Sequence, residues 1–226
     1  MLRKYTIFVT LLLAIALQAY NQSATKAYYA LNLKEGKAEI EYLKQNAKEY
    51  YNQGNEKYNS QNYLGAIKDY NKAIELNPNF AWAYYNCANA KRNLQDYTNA
   101  IEDYNKAIEL DPNDPEFYNN RGIARYCLHN YENAITDYNK AIELNQDFAL
   151  AYYNRAEAER NLENNNEALR DYSKAIELNP NHAKSYYSRG IVKFNLQDFA
   201  GACSDWHIVL NMGYSLDKAT IEKLCK

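Results

Sequence analysis

Glycine, proline and histidine are scarce in this chain, and their scarcity excludes several architectures and sites. Only 7 glycines and 4 prolines occur among 226 residues, so a many-turned β-sandwich or barrel is not expected. None of the 3 histidines, His129, His182 and His207, has another metal-binding residue at ligand spacing. The sequence also lacks a glycine-rich phosphate loop, an HExxH motif and a nucleophile elbow. We therefore predict no metal site, no cofactor and no catalytic residue.

The chain also lacks a strong net charge. Its 26 Lys and Arg residues nearly balance its 28 Asp and Glu residues, which gives a net charge of -2. This balance does not predict binding to nucleic acid or to an acidic membrane surface. The 24 tyrosines are an excess, and abundant Ala, Glu, Lys and Leu favour helices. The composition therefore indicates an all-α protein with many buried or recognition-type aromatic rings.

The first twenty residues differ from the rest of the chain. Arg3 and Lys4 precede an almost unbroken apolar run from Ile7 to Leu17. Such a run, about 11 residues long, is short for a membrane span but typical of a signal peptide, with Ala19 before the cleavage site. We predict a signal peptide at residues 1–19 and export to the periplasm or the medium. An uncleaved membrane anchor and a buried helix remain the alternatives for this segment.

A repeat with a period of 34 residues occupies most of the chain. One column is aromatic in five successive copies: Tyr70, Tyr104, Tyr138, Tyr172 and Trp206. Another column holds alanine: Ala66, Ala100, Ala134, Ala168 and Ala202. A third holds only small residues: Gly54, Ala88, Gly122, Ala156 and Gly190. Small residues let helix backbones approach closely while the rings fill the space beside them, so stacked units would share one continuous core.

This pattern resembles the tetratricopeptide repeat family. The resemblance implies an all-α, right-handed α-solenoid of helix-turn-helix repeats that serves as a protein–protein interaction scaffold rather than an enzyme. We place five repeats at residues 47–80, 81–114, 115–148, 149–182 and 183–216. A leader helix at residues 20–46 is expected to pack on the first repeat, and a cap helix at residues 217–226 on the last.

The resemblance assigns partner binding to the concave groove, which the first helix of each repeat lines in this family. Tyr, Trp, Arg and Asn are suited to this role because rings supply contact area and Asn can pair with a peptide backbone. The predicted groove residues are Tyr51, Asn55, Tyr58, Trp82, Tyr85, Asn86, Asn89, Arg92, Asn119, Asn120, Tyr126, Tyr153, Asn154, Arg160, Tyr187 and Phe194. Removing Tyr85 and Asn89 together is expected to weaken partner binding without loss of helicity.

Two alternatives to this interpretation stay open. Some groove tyrosines can instead fill the space between repeats. The partner can be a peptide or protein, or the chain can be a carbohydrate-binding or enzyme-associated accessory protein of the cell envelope, in which an exposed ring such as Trp82 stacks on a sugar. Membrane contact is expected only through an uncleaved N-terminal segment.

Two further sets of side chains carry structural predictions. Arg121, Arg155 and Arg189 are expected to pair with a column of aspartates, Asp69, Asp103, Asp137, Asp171 and Asp205. The alternative is that each of the first four aspartates pairs with the lysine three residues later. Cys203 and Cys225 are placed to join the last repeat to its cap by a disulfide, which export would permit; two buried thiols are the alternative.

Overall fold

The computed structural model describes residues 22, 26, 34, 36–214, 221 and 225. Residues 36–214 form ten helices and no strand. Helix α1 covers residues 36–59. The others are α2 (Tyr63–Leu76), α3 (Ala81–Asn93), α4 (Tyr97–Leu110), α5 (Pro115–Cys127), α6 (Tyr131–Leu144), α7 (Ala149–Asn161), α8 (Asn165–Leu178), α9 (Ala183–Asn195) and α10 (Phe199–Asn211). None of the helices in the described residues is both long enough and apolar enough to cross a membrane.

The helices pair into five units because the same breaks recur every 34 residues. In each unit, the second residue after the end of the first helix has a left-handed backbone. None of these five residues is glycine: Gln61, Gln95, His129, Glu163 and Gln197. At one of them, Gln95, backbone N–H groups return to the end of α3, from Gln95 to Arg92 O and from Asp96 to Lys91 O. These bonds satisfy carbonyls that the helix end would leave unpaired.

The alanine and aromatic columns form the core, as the repeat pattern predicts. All five residues of the alanine column, Ala66 to Ala202, are fully buried. The five residues of the aromatic column, Tyr70 to Trp206, are at most 6% exposed. At the three glycines of the small-residue column, the backbone of the first helix lies very close to a ring of the aromatic column. A Cβ added to Gly122 would lie 2.6 Å from the Tyr138 ring, and one added to Gly190 would lie 2.5 Å from Trp206. The ring therefore sits where a side chain would otherwise begin.

The two ends of the array differ in part from the sequence prediction. No helix break separates residues 36–46 from the first repeat, because α1 runs without interruption from residue 36 to 59. Neither proline nor glycine occurs near residue 46, so nothing ends the helix there. The predicted signal peptide, about half of the leader and most of the cap lie outside the described residues. Of the cap, Ile221 is buried against Ala202 and Trp206, and Cys225 packs on the same cluster.

The packing between units defines an inner and an outer side of the solenoid. The second helices α4, α6 and α8 each pack against the first helices on both sides of them. Among α3 to α10, the first helices of neighbouring units also contact one another, α3 with α5, α5 with α7 and α7 with α9, whereas the second helices do not. The first helices are therefore closer together, and they line the concave side on which the predicted groove residues lie.

Candidate partner-binding groove

A ladder of asparagines and tyrosines crosses the groove from one unit to the next. The amide of Asn86 donates to the hydroxyl of Tyr51, 35 residues earlier, at 3.0 Å. The same spacing joins Asn120 to Tyr85 and, at 2.9 Å, Asn154 to Asn119. These amides therefore hold neighbouring first helices in register. At least one N–H of each amide is used in this way and is not available to a partner. That the groove asparagines pair with a peptide backbone stays a prediction.

A second row of such bonds lies nearer the ends of the first helices. Asn93 donates to Tyr58 at 2.8 Å and Asn161 donates to Tyr126 at 2.9 Å. The rings of Tyr58, Tyr126 and Phe194 also pack edge-on against an aromatic residue at the start of the following helix. These predicted groove residues are thus anchored on two sides. Their rings therefore fix the shape of the groove rather than act as mobile groups that recognise a partner.

Tyr85 is a core residue rather than a free groove residue. It is only 6% exposed, its ring stacks on Phe117 at 4.8 Å, and its hydroxyl donates to Glu116 at 3.2 Å. Asn119 is similarly buried, at 4% exposed. Replacing Tyr85 and Asn89 together would therefore open a cavity and leave polar groups unpaired. The double change would disturb the core as well as the groove, so it does not isolate partner binding; its effect on helicity stays a prediction.

Large hydrophobic side chains remain exposed on the first helices. Trp82, Leu150 and Tyr187 are exposed by 38, 48 and 42% respectively. Trp82 packs edge-on against Tyr85 and Phe117, so its ring is held while one part stays open to solvent. Tyr153 is half-buried with its ring against His182 at 4.8 Å. Rigid rings with an exposed part supply binding area at low entropic cost.

The second and fourth units contain the same three-residue cluster with one substitution. In the fourth unit, Glu157 accepts a hydrogen bond from the buried Tyr172 hydroxyl at 2.6 Å and pairs with Arg160 at 2.8 Å. In the second unit, 68 residues earlier, the equivalents are Asn89, Tyr104 and Arg92. Asn89 also accepts from the tyrosine hydroxyl. The difference is that Asn89 is neutral and cannot neutralise Arg92.

The arginine column is structural, as predicted. Arg121, Arg155 and Arg189 pair with Asp137, Asp171 and Asp205, each 16 residues later in the same unit, at 2.6 to 2.7 Å. Each guanidinium also donates to a polar residue of the preceding unit: Asn105, Asn139 and Ser173. It lies 5.5 to 5.6 Å from a tyrosine ring as well. One arginine thus ties both helices of its unit to the unit before.

A second cationic position, four residues after the arginine column, also supplies partners to the aspartate column. Lys57, Lys91, Arg125 and Lys193 share one position in the repeat, and they pair with Asp69, Asp103, Asp137 and Asp205. The sequence alternative, that aspartates pair with the lysine three residues later, is wrong. Those lysines pair instead with a glutamate three residues further on, as Lys72 does with Glu75. The aspartates face the first helix, whereas the lysines lie on the outer surface.

The fourth unit is the exception in this ion-pair ladder. Glu159 occupies the position where the other units have Lys or Arg, and it accepts a hydrogen bond from Asn164 at 2.7 Å. Among the described cations, Asp171 consequently pairs with Arg155 alone, through two hydrogen bonds. Its side chain is 11% exposed. A single guanidinium therefore neutralises a largely buried carboxylate in this unit.

Burial shifts the pKa of several tyrosines, including four on second helices and Tyr153 on the first helix α7. It raises the pKa of Tyr70, Tyr104, Tyr138 and Tyr172 well above the usual range. For Tyr153, burial raises the pKa to about 12, and the negative charge of Glu157 acts in the same direction. Near neutral pH these hydroxyls are therefore neutral hydrogen-bond donors and acceptors.

The cysteines fall into two classes. Cys203 and Cys225 form a disulfide, with their Cα atoms 5.6 Å apart. Cys87 is buried and Cys127 is half-buried, and both are free thiols. Burial raises the pKa of the Cys87 thiol far above its usual range, so it is a poor nucleophile. Within the described residues, no three His, Cys, Asp or Glu side chains are grouped so that they could hold a metal ion.

Two family models match the repeats of this chain. A model described as TPR repeat matches residues 54–94 and 88–128, and one described as tetratricopeptide repeat matches residues 115–148 and 149–182. The chain belongs to the tetratricopeptide repeat family. The last two matches have the same boundaries as the third and fourth units predicted from the sequence. The sequence matches no curated protein.

Several solved tetratricopeptide structures share the fold. MamA 41-end from Desulfovibrio magneticus RS-1 has a TM-score of 0.70 and 21% identity, covering 74% of this chain and 95% of its own. YrrB, described as a TPR protein with an unusual peptide-binding site, has a TM-score of 0.63 and 24% identity over 76% of this chain and 89% of its own. The first TPR of Spaghetti (RPAP3), bound to the HSP90 peptide SRMEEVD, has a TM-score of 0.52 and 28% identity over 53% of this chain and 94% of its own.

Proposed function

We propose that this protein is an adaptor that binds an extended peptide, or an extended segment of a protein, in the concave groove of its repeats. The observation that carries this proposal is the row of partly exposed Trp82, Leu150 and Tyr187 side chains on helices that line the inner side. The peptide-binding site named for YrrB and the HSP90 peptide bound to the first TPR of Spaghetti support the same use of the fold.

The proposed role is binding without catalysis. Carboxylates on the first helices are engaged in pairs that hold the groove together, Glu116 with Tyr85 and Glu157 with Tyr172 and Arg160. Their positions serve the architecture of the repeat, which supports a scaffold rather than a pair of converging acid–base groups.

Export of the protein is a second part of the proposal. The Cys203–Cys225 disulfide supports it, since such bonds persist in oxidising compartments. The test is to alkylate the protein in intact cells and to count modified cysteines by mass spectrometry. We expect Cys203 and Cys225 to be protected until a reductant is added. Alkylation of both without reductant would argue against export.

The binding proposal is tested with peptides of random sequence. A phage-displayed library of 12-residue peptides is selected on the wild-type chain, and the enriched peptides are synthesised with a fluorescent label. Trp82→Ala with Tyr187→Ala is expected to weaken their binding at least tenfold, which corresponds to about 1.4 kcal/mol. Leu64→Ala is the matched control, because Leu64 is 72% exposed but lies on a second helix. No enrichment on the wild type, or equal loss in the control, would refute the proposed function.

A further inference from the structure

Arg92 stands apart from the other arginines of the described residues. Arg121, Arg125, Arg155, Arg160, Arg170 and Arg189 each pair with an Asp or Glu. Arg92 pairs with none of the described carboxylates. Its Nε–H is closed off from solvent without a hydrogen-bond partner, as is that of Arg160, so the feature that sets Arg92 apart is the missing carboxylate. A guanidinium that is partly buried and unpaired is unfavourable, so its presence in the groove calls for an anion from elsewhere.

The fourth unit shows which anion fits this position. There the equivalent Arg160 pairs with the side chain of Glu157, while Glu157 also accepts from the Tyr172 hydroxyl. In the second unit the tyrosine hydroxyl is already satisfied by Asn89, and only the carboxylate is missing. The fourth unit therefore contains the complete arrangement of tyrosine, carboxylate and arginine, and the second unit contains the same arrangement without the carboxylate.

The position of Arg92 makes it accessible to a ligand in the groove. It lies in the last turn of α3, in the second of five units, at the register that Tyr58 and Tyr126 occupy in the units on either side. Two carboxylates lie at the start of the next first helix, and both are already acceptors: Asp114 accepts from the backbone N–H of Glu116, and Glu116 accepts from the Tyr85 hydroxyl. An extended peptide that crosses the second unit can therefore bring its own carboxylate to Arg92 without competing with a groove residue.

We propose that Arg92 binds the side-chain carboxylate of a glutamate or aspartate in the partner peptide, so that the preferred partners are acidic at one fixed position. This inference rests on the proposed function and adds the chemistry of the ligand. A side-chain carboxylate is favoured over a terminal one because the completed arrangement in the fourth unit uses a glutamate side chain. Charge-assisted pairing with a guanidinium is also the type of contact that selects for carboxylate geometry.

The test uses the peptides selected above, synthesised in three forms. One form is unchanged, one has its conserved acidic residue replaced by the amide analogue, and one has an amidated C-terminus. We expect the amide analogue to bind about tenfold more weakly to the wild type, as loss of one charge-assisted contact of about 1.4 kcal/mol implies. C-terminal amidation is expected to leave binding unchanged.

Protein variants identify the residue responsible. Arg92→Gln is expected to bind the acidic peptide as weakly as the wild type binds the amide analogue. Asn89→Glu is expected to do the same, because it supplies an internal carboxylate to Arg92, whereas Asn89→Gln should retain acidic preference. Arg170→Gln is the control for loss of one positive charge, since its side chain is 73% exposed on a second helix. Circular dichroism checks the fold of every variant.

The outcomes separate this inference from the proposed function. Peptides that bind the groove but lack a shared acidic residue, or that bind Arg92→Gln as well as the wild type, overturn the inference and leave the groove function intact. Loss of binding on C-terminal amidation also overturns it, since the ligand group would then be the terminal carboxylate. If no peptide is enriched at all, both the function and the inference fail. In Asn89→Glu, thermal stability should exceed that of Asn89→Gln at neutral pH; equal stabilities contradict the proposed pairing.

Discussion

The fourth unit should be the most sensitive to loss of its arginine. We expect Arg155→Met to destabilise the protein more than Arg121→Met. The two arginines have matching surroundings, each with a tyrosine ring at 5.5 to 5.6 Å and an asparagine of the preceding unit. The difference lies in which cation remains beside the aspartate after the arginine is replaced. Asp137 keeps Arg125 at 2.8 Å, whereas Asp171 keeps none of the described cations, because Glu159 of the same unit occupies the supporting position.

The magnitude follows from the burial of the pair. Removing one partner of a fully buried ion pair costs about 3–5 kcal/mol, because the other charge is left uncompensated. The Arg155 and Asp171 side chains are 22% and 11% exposed, so water screens part of this cost. We expect a loss of about 2 kcal/mol for Arg155→Met and about 1 kcal/mol for Arg121→Met. The contributions of the ring and the asparagine largely cancel in this comparison.

The assay is equilibrium unfolding in urea, followed by circular dichroism, for the wild type and both variants. Unfolding of a repeat array is analysed with a nearest-neighbour description, since a two-state fit can fail for such chains. A rescue variant sharpens the result. Glu159→Lys, added to Arg155→Met, restores the cation that Lys193 provides to Asp205 at 2.9 Å, and it should recover about half of the lost stability. Equal losses in the two single variants, or no recovery with Glu159→Lys, would refute the reasoning.

The remaining predictions concern the packing, the left-handed residues, the disulfide and the tyrosines. Gly122→Ala should lower stability by about 1–3 kcal/mol in the same urea assay, because its Cβ would lie 2.6 Å from the Tyr138 ring; no change would contradict that close packing. Gln95→Gly should raise stability by about 0.5 kcal/mol, since Gln95 has a φ of 62°, and a loss would show that its side chain matters more than its backbone. Replacing both Cys203 and Cys225 by alanine should cost about 3 kcal/mol, as expected for a loop with a sequence separation of 22, and calorimetry that finds no change would oppose this. Alkaline pH should destabilise the fold: burial raises the pKa of Tyr153 to about 12, so the stability it contributes is fully present below pH 10 and is lost as the pH rises towards 12; absorbance at 295 nm that shows ordinary titration of all tyrosines in the folded protein would contradict this.

The sequence by itself determined the repeat, its boundaries and much of its core. A period of 34 residues forces each alanine and aromatic column onto one side of its helix, so Ala100 and Tyr104 had to be buried together. The pairing of Arg155 with Asp171 was also predictable, because a partly buried guanidinium needs a carboxylate and the aspartate column has the same period. Contacts between residues of the same repeat columns therefore recur from unit to unit in the structure.

Only the tertiary structure decided how polar groove residues are used. The hydrogen bond between Asn86 and Tyr51 joins two units, and its geometry depends on how one first helix packs on the next, which no local pattern encodes. The same packing buries Tyr85 and leaves Trp82 partly exposed, although both are aromatic residues of one helix. The left-handed backbone at Gln95 was equally hidden, since glycine, the usual signal for it, is absent there. Arg92 differs from Arg160 for a reason that is visible only once their neighbours are placed: Glu157 is close enough to neutralise Arg160, and Asn89, at the same position beside Arg92, carries no charge.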